Sequence, residues 1–229
     1  IRGSKKIKER KNILNKCSNV IFVSKWVQKK FFEGLDSKKS KKCSVIYPAI
    51  KRLNKLPKKD NIITFIGKLN KSKGYDLAGV AVVNILNKHK NWKAVFAGNE
   101  EREKYNFSHK NLKIYKWLSH DKILKLLKKS SICLVPSVWD EPFGRISMEA
   151  SICGNAVILS NKGGLSETSK YHIKLKNLHV NNIFKEINNL ILDKKKLSKL
   201  QKKSFFDYKI FIEKSTKIFD EIKLKNIKD

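Results

Sequence analysis

The sequence has few of the residues that mark secreted or membrane-spanning proteins. Its 229 residues include only four cysteines and four prolines. Cys17, Cys43, Cys133 and Cys153 stand far apart, which fits neither a zinc pair nor a disulfide framework, so we expect a reducing compartment. No hydrophobic run reaches the length of a membrane span, and the first twenty residues are too basic and polar for a signal peptide. The sequence therefore predicts a cytoplasmic protein whose membrane contact, if any, is peripheral and on the inner face.

Arginine and acidic residues are also scarce. Lys and Arg together number 52 against 20 Asp and Glu, which gives a net charge of +32, yet only five of the cations are arginine. Lys, Asn and Ile share AT-rich codons, so genome composition explains the excess better than phosphate recognition, which would favour arginine. The lysines are spread from Lys5 to Lys228. We expect no nucleic-acid partner, but a lysine-rich binding module for RNA or anionic lipid stays open as an alternative.

Methionine occurs once, at Met148, and the chain begins with Ile1. We therefore expect that the natural polypeptide has residues upstream of this sequence. Hydrophobic residues make up 41% of the chain and charged residues 31%, a composition that predicts a buried core and one domain or slightly more.

The apolar pattern predicts alternating strands and helices. A basic amphipathic opening is followed by a strand at 20–23, a helix at about 25–35, a strand at 45–47 and a Pro-containing linker at 51–60. Helical periodicity is clear near 77–86 and 183–191, and a last amphipathic helix is predicted at about 209–225, with Phe211, Ile218, Phe219 and Ile222 on one side. Between these helices lie five apolar runs, at 62–66, 92–97, 112–115, 132–135 and 156–159. The alternation predicts a Rossmann-like doubly wound parallel sheet.

Ligands of such sheets bind beyond the carboxyl ends of the strands, and four of the five loops there contain glycine. Gly67, Lys68 and Lys73 follow the first strand of the series, and two lysines beside a glycine turn suit a diphosphate. In so lysine-rich a chain the same pairing can also arise by chance. Gly144 and Arg145 stand at a predicted helix start, where free backbone N–H groups and the helix dipole favour phosphate.

Two carboxylates flank that helix start. Glu141 precedes the helix and Glu149 lies within it, eight residues later, so both can face one cleft. They can accept hydrogen bonds from sugar hydroxyls, one near a reacting ring and one near a ribose. The alternative is that Glu141 compensates the helix dipole and that Glu149 is a solvated helix charge.

Several ordered motifs resemble one known family. The segment EPFGRISMEASICGNAVILSNKGGLSE, at 141–167, resembles the E-x7-E signature and GG-x-x-E turn of retaining GT-B glycosyltransferases of the group-1 type, also called glycosyltransferase family 4. FIGKLNKSKG at 65–74 resembles the phosphate loop of that family, and VFAGNEERE at 95–103 its next strand and loop. Residues 20–31 and 45–50 are similar to the close of its N-terminal domain and to the crossover between domains.

The resemblance implies the C-terminal half of a GT-B fold. Residues 1–50 would be a remnant of the N-terminal acceptor domain with the crossover, and 51–229 the nucleotide-sugar-binding domain with a returning C-terminal helix. The implied activity is that of a retaining hexosyltransferase, here a fragment, that uses a nucleotide-sugar donor and a glycan, lipid-linked or small acceptor. Neither a cofactor nor a metal is implied, and the sequence has no Asp-x-Asp motif. A non-catalytic sugar-nucleotide sensor remains a second alternative.

The resemblance also implies roles for individual positions. Glu141 would be catalytic and contact the donor hexose near the reaction centre. The two loop lysines would hold the diphosphate, the helical glutamate the ribose hydroxyls, and main chain around Trp117 the base. The implied donor-binding residues are Gly67, Lys68, Lys73, Trp117, Leu118, Phe143, Gly144, Arg145 and Glu149. Lys68 departs from the usual arginine, which removes a bidentate fork, and the region at 170–178 is shorter than is usual in the family.

Overall fold

The computed structural model describes residues 2–35, 42–50, 53–104 and 106–227. Residues 51 and 52 of the predicted linker lie outside the described residues. The chain divides into two compact units, one of Ile1–Ile50 with Ile210–Asp229 and the other of Lys51–Lys209. The domain boundaries at 1–50 and 51–229 stay a prediction.

The N-terminal segment of the first unit contains a short parallel pair of strands and two helices, and the end of the last helix completes the unit. Its elements are α1 (Arg2–Lys16), β1 (Val20–Phe22), α2 (Lys25–Phe32) and β2 (Cys43–Val45), and β1 pairs with β2. The second strand thus begins two residues earlier than predicted, and the helix ends at 32 instead of about 35.

Both ends of α2 are capped by side chains. Ser24 precedes the helix, and its Oγ accepts a hydrogen bond of 3.0 Å from the Val27 N–H. At the other end the Arg10 guanidinium donates to the carbonyls of Phe31 at 2.6 Å and Glu33 at 3.0 Å. These carbonyls have no partner within the helix, so the arginine stabilises its C-terminal end.

The second unit contains six strands with connecting helices. Its elements are β3 (Asp60–Ile66), α3 (Tyr75–Lys88), β4 (Lys93–Ala97), β5 (Leu112–Tyr115), α4 (His120–Lys129), β6 (Ser130–Val135), α5 (Arg145–Ile152), β7 (Ala156–Ser160), β8 (Ile173–Leu175), α6 (Val180–Leu192) and the start of α7 (Lys194–Ile227). The six strands are all parallel, in the order β5-β4-β3-β6-β7-β8. The predicted doubly wound parallel sheet is confirmed.

The strand order places a switch point between β3 and β6. From β3 the chain adds β4 and then β5 on one side, and it returns to add β6, β7 and β8 on the other. Connections leave β3 and β6 in opposite directions, which opens a crevice beyond their carboxyl ends.

Apolar side chains fill both faces of the sheet. Ile63 and Phe65 of β3 pack on one face with α3 and α6, whereas Ile66 points to the other face with residues of α4 and α5, such as Leu127 and Ala150. Ile63 and Leu127 are completely buried, and burial of each such side chain contributes roughly 1.5–3 kcal/mol. Coverage on both faces explains why these strands appear as continuous apolar runs.

Lys59 joins the C-terminal ends of two helices. Its ammonium donates hydrogen bonds to the carbonyls of Leu127 at 3.1 Å and Lys128 at 3.2 Å in α4, and to the carbonyl of Cys153, which caps α5. Burial lowers the pKa of Lys59 to about 8 from an ordinary value of 10.5. The negative ends of the two helix dipoles therefore share one half-buried cation.

Two predictions about elements need correction. Strand β8 was not predicted, because it has only three residues and lies at the edge of the sheet. The last helix begins at Lys194 instead of about 209 and runs for 34 residues. The side chain of Phe211 lies outside the described residues, and Phe219 is half exposed, at 50%. Among the described residues, no helix is both long enough and apolar enough to cross a membrane.

Candidate functional site

A cavity opens at the switch point, between the carboxyl ends of β3 and β6. Its volume is about 150 Å³, similar to a cavity that accepts a benzene-sized molecule, so it suits a single ring or phosphate group. It is lined by Phe65, Ile66, Gly67, Lys73, Leu134, Val135, Ser137, Glu141, Gly144, Arg145 and Ile146. The lining is apolar at the strands and polar at the loops, which is the usual character of a ligand site.

The first loop presents bare main chain to this cavity. Gly67 has a φ of +148°, and a Cβ added there would meet no described atom within 4 Å. Its N–H donates to the Ala97 carbonyl at 2.9 Å, which holds the loop against β4. A ligand can therefore approach the backbone at Gly67 closely without displacing protein atoms.

The loop that carries Lys73 is clamped to the loop after β6. The Asn70 side chain accepts a hydrogen bond of 3.2 Å from the Lys73 N–H. The Ser72 carbonyl accepts two more, from the N–H groups of Val138 at 2.9 Å and Trp139 at 3.2 Å. The backbone at Lys73 is thus fixed relative to the opposite wall of the cavity.

The Lys73 ammonium lies between a carboxylate and an aromatic ring. It forms an ion pair with Oε1 of Glu141, and the Ser137 hydroxyl donates to the same oxygen at 2.7 Å. The ammonium also lies 5.2 Å from the centre of the Trp139 ring, a cation–π geometry worth about 0.5–1 kcal/mol. The Lys73 and Glu141 side chains are only 25% and 12% exposed, so neighbouring protein groups determine their orientation.

The backbone of Glu141 is held by the loop after β7. The Gly164 N–H donates to the Glu141 carbonyl at 2.7 Å, and the Gly163 N–H donates to Oδ1 of Asp140 at 3.1 Å. Gly163 has a φ of +62°, and a Cβ there would lie 2.1 Å from the Glu141 carbonyl oxygen. Only glycine allows this approach, so Gly163 positions the Glu141 backbone.

Helix α5 directs its N-terminal end to the cavity. It begins at Arg145 after Gly144, both of which line the cavity, and its first turn contains no acidic residue. The first backbone N–H groups of a helix have no carbonyl partner within it, and the dipole adds partial positive charge. This end of α5 is consequently suited to an anion.

Glu149 lies one turn into α5 and is almost fully buried, with 3% of its side chain exposed. Its Oε1 is 3.3 Å from Nε2 of His120 and 3.6 Å from Nη2 of Arg145. Its Oε2 is buried, and no atom of the described residues forms a hydrogen bond with it. A buried carboxylate oxygen without a hydrogen-bond partner is costly.

The structure gathers most of the predicted site residues. The cavity lining includes Gly67, Lys73, Glu141, Gly144 and Arg145. Glu149 is outside this lining, but it forms an ion pair with the lining residue Arg145. Lys68 is exposed and outside the lining, and the Phe143 side chain is buried, with 3% exposed. Trp117, 80% exposed, and Leu118, half-buried, follow the edge strand β5 away from the cavity lining. All of these roles stay predictions.

Sequence reasoning missed Ser137, Trp139 and His120. Ser137 and Trp139 lie in a loop whose position was predicted, but their contacts depend on the loop after β3 meeting it across the sheet. His120 is 29 residues from Glu149 along the chain, and no spacing links the two. The apolar pattern carries no signal for such contacts.

The fold and the cleft define a doubly wound α/β protein with a polar cavity at its switch point, lined by Lys73, Glu141 and the N-terminal end of α5. The family model described as "Glycosyl transferases group 1" matches residues 47–205, more than two thirds of the chain. The chain belongs to that family, as the motifs predicted.

Two curated relatives illustrate the match. An uncharacterized glycosyltransferase of Methanocaldococcus jannaschii is 32% identical over 122 residues, which cover 50% of this chain and 30% of that protein. An uncharacterized 42.6 kDa protein in the cps region of Klebsiella pneumoniae is 31% identical over 167 residues, 70% of this chain and 43% of that protein. The chain therefore spans less than half the length of these relatives.

Solved structures show the same fold at low identity. The crystal structure of Anabaena Alr3699/HepE in complex with UDP-glucose has a TM-score of 0.72 at 18% identity, covering 92% of this chain and 66% of that chain. Sucrose-phosphate synthase from Thermosynechococcus elongatus has a TM-score of 0.74 at 16% identity, covering 98% of this chain and 62% of that chain. The predicted fold class is confirmed.

Proposed function

We propose that this chain is the donor-binding part of a retaining glycosyltransferase that transfers a hexose from a nucleotide-sugar donor to a glycan, lipid-linked or small acceptor. One observation carries the proposal: Lys73, the N-terminal end of α5 and the carboxylates of Glu141 and Glu149 cluster at the switch point. Membership of the group 1 family supports it. The complex of the Anabaena protein with UDP-glucose supports a nucleotide-sugar as the donor class.

The diphosphate of the donor would bind between Lys73 and the start of α5. An ammonium has three N–H groups, so Lys73 can retain its bond to Glu141 and still donate to a phosphate oxygen. The backbone N–H groups after Gly144 supply further donors. Charge-assisted hydrogen bonds of this kind contribute roughly 1.5–3 kcal/mol each. These donors would offset the diphosphate charge, and we propose neither a metal nor a cofactor.

Glu141 would act on the sugar. Its carboxylate borders the cavity, where it can accept hydrogen bonds from hexose hydroxyls. During transfer the bond between the anomeric carbon and the diphosphate breaks, and its electron pair leaves on the phosphate oxygen. The acceptor hydroxyl forms the new bond on the same face and gives its proton to the departing phosphate oxygen. Negative charge on Glu141 would stabilise positive charge at the anomeric carbon, while Lys73 stabilises the leaving diphosphate.

Glu149 would bind the ribose. Its Oε1 lies 3.6 Å from Nη2 of the cavity residue Arg145, and ribose hydroxyls on that side would donate hydrogen bonds to this carboxylate. Main chain around Trp117 and Leu118 would contact the base beyond it. This arrangement assigns the two carboxylates to different parts of the donor, the hexose and the ribose.

A thermal-shift titration tests the site. A ligand that binds only the folded chain stabilises it by about 2.7 kcal/mol at one hundred times its Kd. We expect at least one of UDP, GDP and ADP, or its sugar conjugate, to raise the melting temperature at millimolar concentration. If none of them produces a shift, the proposed donor site is wrong.

A pair of lysine variants separates a placed cation from a general basic surface. Lys73→Ala should weaken nucleotide binding at least tenfold, about 1.4 kcal/mol, because it removes the charge beside the cavity. Lys194→Ala is the matched control, since Lys194 is exposed on α7 and its loss changes the net charge equally. If both variants lose the same nucleotide affinity, and if the loss disappears at high salt, the basic binding module is supported instead.

A further inference from the structure

The first three turns of α7 have one buried face. Leu197, Gln201, Ser204 and Phe205 are each less than a tenth exposed. The Gln201 amide donates to the Ser131 carbonyl at 3.1 Å, which fixes the rotation of the helix about its axis. The opposite face must therefore point to solvent.

That opposite face carries lysines and one aromatic ring. Lys195, Lys199 and Lys202 are exposed, and Phe206 continues their row at spacings of i, i+4, i+7 and i+11. Phe206 is 61% exposed at the C-terminal end of this row, and its ring centroid lies 5.5 Å from that of the buried Phe205. We call these four residues the α7 lysine face.

The surroundings extend the same character. Lys203 flanks the face, with its ammonium 5.0 Å from the centre of the Tyr171 ring. Leu192 lies just before α7 and is 66% exposed. The sequence contains no Asp or Glu from Lys194 to Phe206. Asp193 and Asp207 flank this stretch, so the acidic residues of the segment lie at its two ends and the lysines lie between them.

We infer that the α7 lysine face docks on an anionic lipid surface. Lysines along one side of a helix are attracted by acidic headgroups, and their long stems allow the ammonium to remain at headgroup level. An exposed Phe among them can insert its ring at the boundary with the acyl chains. The row from Lys195 to Phe206 spans about 16 Å, so all four residues can reach a flat surface together.

A lipid surface fits this face better than RNA does. RNA recognition favours arginine, whose planar guanidinium matches phosphate, and several aromatic rings on which bases stack. The α7 lysine face has no arginine and a single phenylalanine. The inference does not rest on the proposed transfer reaction, since the face is separate from the cavity residues.

Sedimentation with lipid vesicles tests it on the 229-residue chain. Vesicles of phosphatidylcholine alone are compared with vesicles containing about one third phosphatidylserine at physiological salt. Each lysine near an acidic surface strengthens binding about fivefold, so Lys195→Ala, Lys199→Ala and Lys202→Ala together should weaken binding to the acidic vesicles about 100-fold. Phe206→Ser should weaken it about tenfold without any change of charge.

The control triple lies on α4. Lys122, Lys125 and Lys129 are also exposed and share one side of a helix, so replacing all three with alanine removes the same charge. We expect a loss of less than about fivefold. Phe206→Trp should show more quenching of tryptophan emission by brominated lipids than the unaltered chain, which has four tryptophans of its own. Unchanged melting temperatures confirm that all variants fold.

Three results would overturn the inference. Equal losses of vesicle affinity for the two triple variants would show that the net charge of the chain alone attracts it to the vesicles. An unaffected Phe206→Ser variant would show that no ring is inserted. If binding of single-stranded RNA is weakened by substitutions in the α7 lysine face, while binding of vesicles is not, the face is an RNA site instead.

Discussion

Replacing Gly163 with alanine should damage the site through its backbone. Gly163 has a φ of +62°, a conformation that costs an L-residue about 1–2 kcal/mol. The added Cβ would also lie 2.1 Å from the carbonyl oxygen of Glu141 and 2.6 Å from its nitrogen. The two loops must separate to relieve that contact. The 2.7 Å hydrogen bond from Gly164 to Glu141 is then lost, which costs about 1 kcal/mol more.

Together these effects should lower the free energy of unfolding by about 3 kcal/mol. Urea denaturation followed by circular dichroism measures this loss. Gly34→Ala is the matched control, because Gly34 has a φ of +75° but, among the described residues, an added Cβ would meet only Ile7, at 3.9 Å. It should lose only the conformational part, about 1–2 kcal/mol.

The same substitution should weaken donor binding, because the Glu141 carboxylate moves with its backbone. We expect the affinity for the nucleotide-sugar to fall more than the affinity for the free nucleoside diphosphate, since Glu141 is proposed to contact the sugar. Isothermal titration with both ligands measures the difference. If Gly163→Ala is as stable as the unaltered chain and binds both ligands normally, the role of this glycine in positioning Glu141 is refuted.

Three further predictions concern other residues. The Lys59 pKa of about 8 in the folded chain lies below its unfolded value of 10.5. Between pH 8 and 10.5 the unfolded chain therefore binds more protons than the folded chain. Urea titrations from pH 8 to 10.5 should therefore show stability rising with pH, by up to about 3 kcal/mol more than in Lys59→Met; equal slopes would contradict this. Glu149→Gln should weaken ribonucleotide binding about tenfold or more and reduce discrimination against 2′-deoxyribonucleotides, measured by titration; unchanged discrimination would place the ribose elsewhere. Trp139→Ala should lower nucleotide affinity about two- to fivefold, whereas Trp139→Phe retains a ring for Lys73 and should lose less. If the two variants bind the nucleotide equally well, the ring at position 139 has no role in binding.

Much of the fold could be predicted because the central strands are buried on both faces. Such strands give long apolar runs, and β3, β4, β6 and β7 were found in this way. The edge strand β5 has no fully buried residue and was found from its short apolar run at 112–115. Strand β8 gave no comparable signal, because a three-residue edge strand with an exposed Lys174 is too short to show a pattern. The start of α7 was missed because its buried face includes the polar residues Gln201 and Ser204 and its exposed face includes Phe206, so little hydrophobic contrast marked its first turns.

The candidate site was predictable in position but not in its contacts. Parallel strands bring their carboxyl ends to one edge, and so the loops with Gly67, Lys73 and Gly144 could be expected together. The pairing of Lys73 with Glu141 depends on β3 lying beside β6, with Phe65 level with Leu134. Neighbours in a sheet are not determined by local sequence, so no spacing could reveal that ion pair.

The position of Lys59 has a mechanical consequence for the cleft. Its ammonium fixes the far ends of α4 and α5, whose opposite ends carry His120 and Arg145 beside Glu149. These helices are about 15 Å and 12 Å long, so a small tilt at one end becomes a displacement at the other. The Lys59 amine thus helps to set the angle between α4 and α5. Substitutions at Lys59 should change the geometry around Glu149 without touching a ligand.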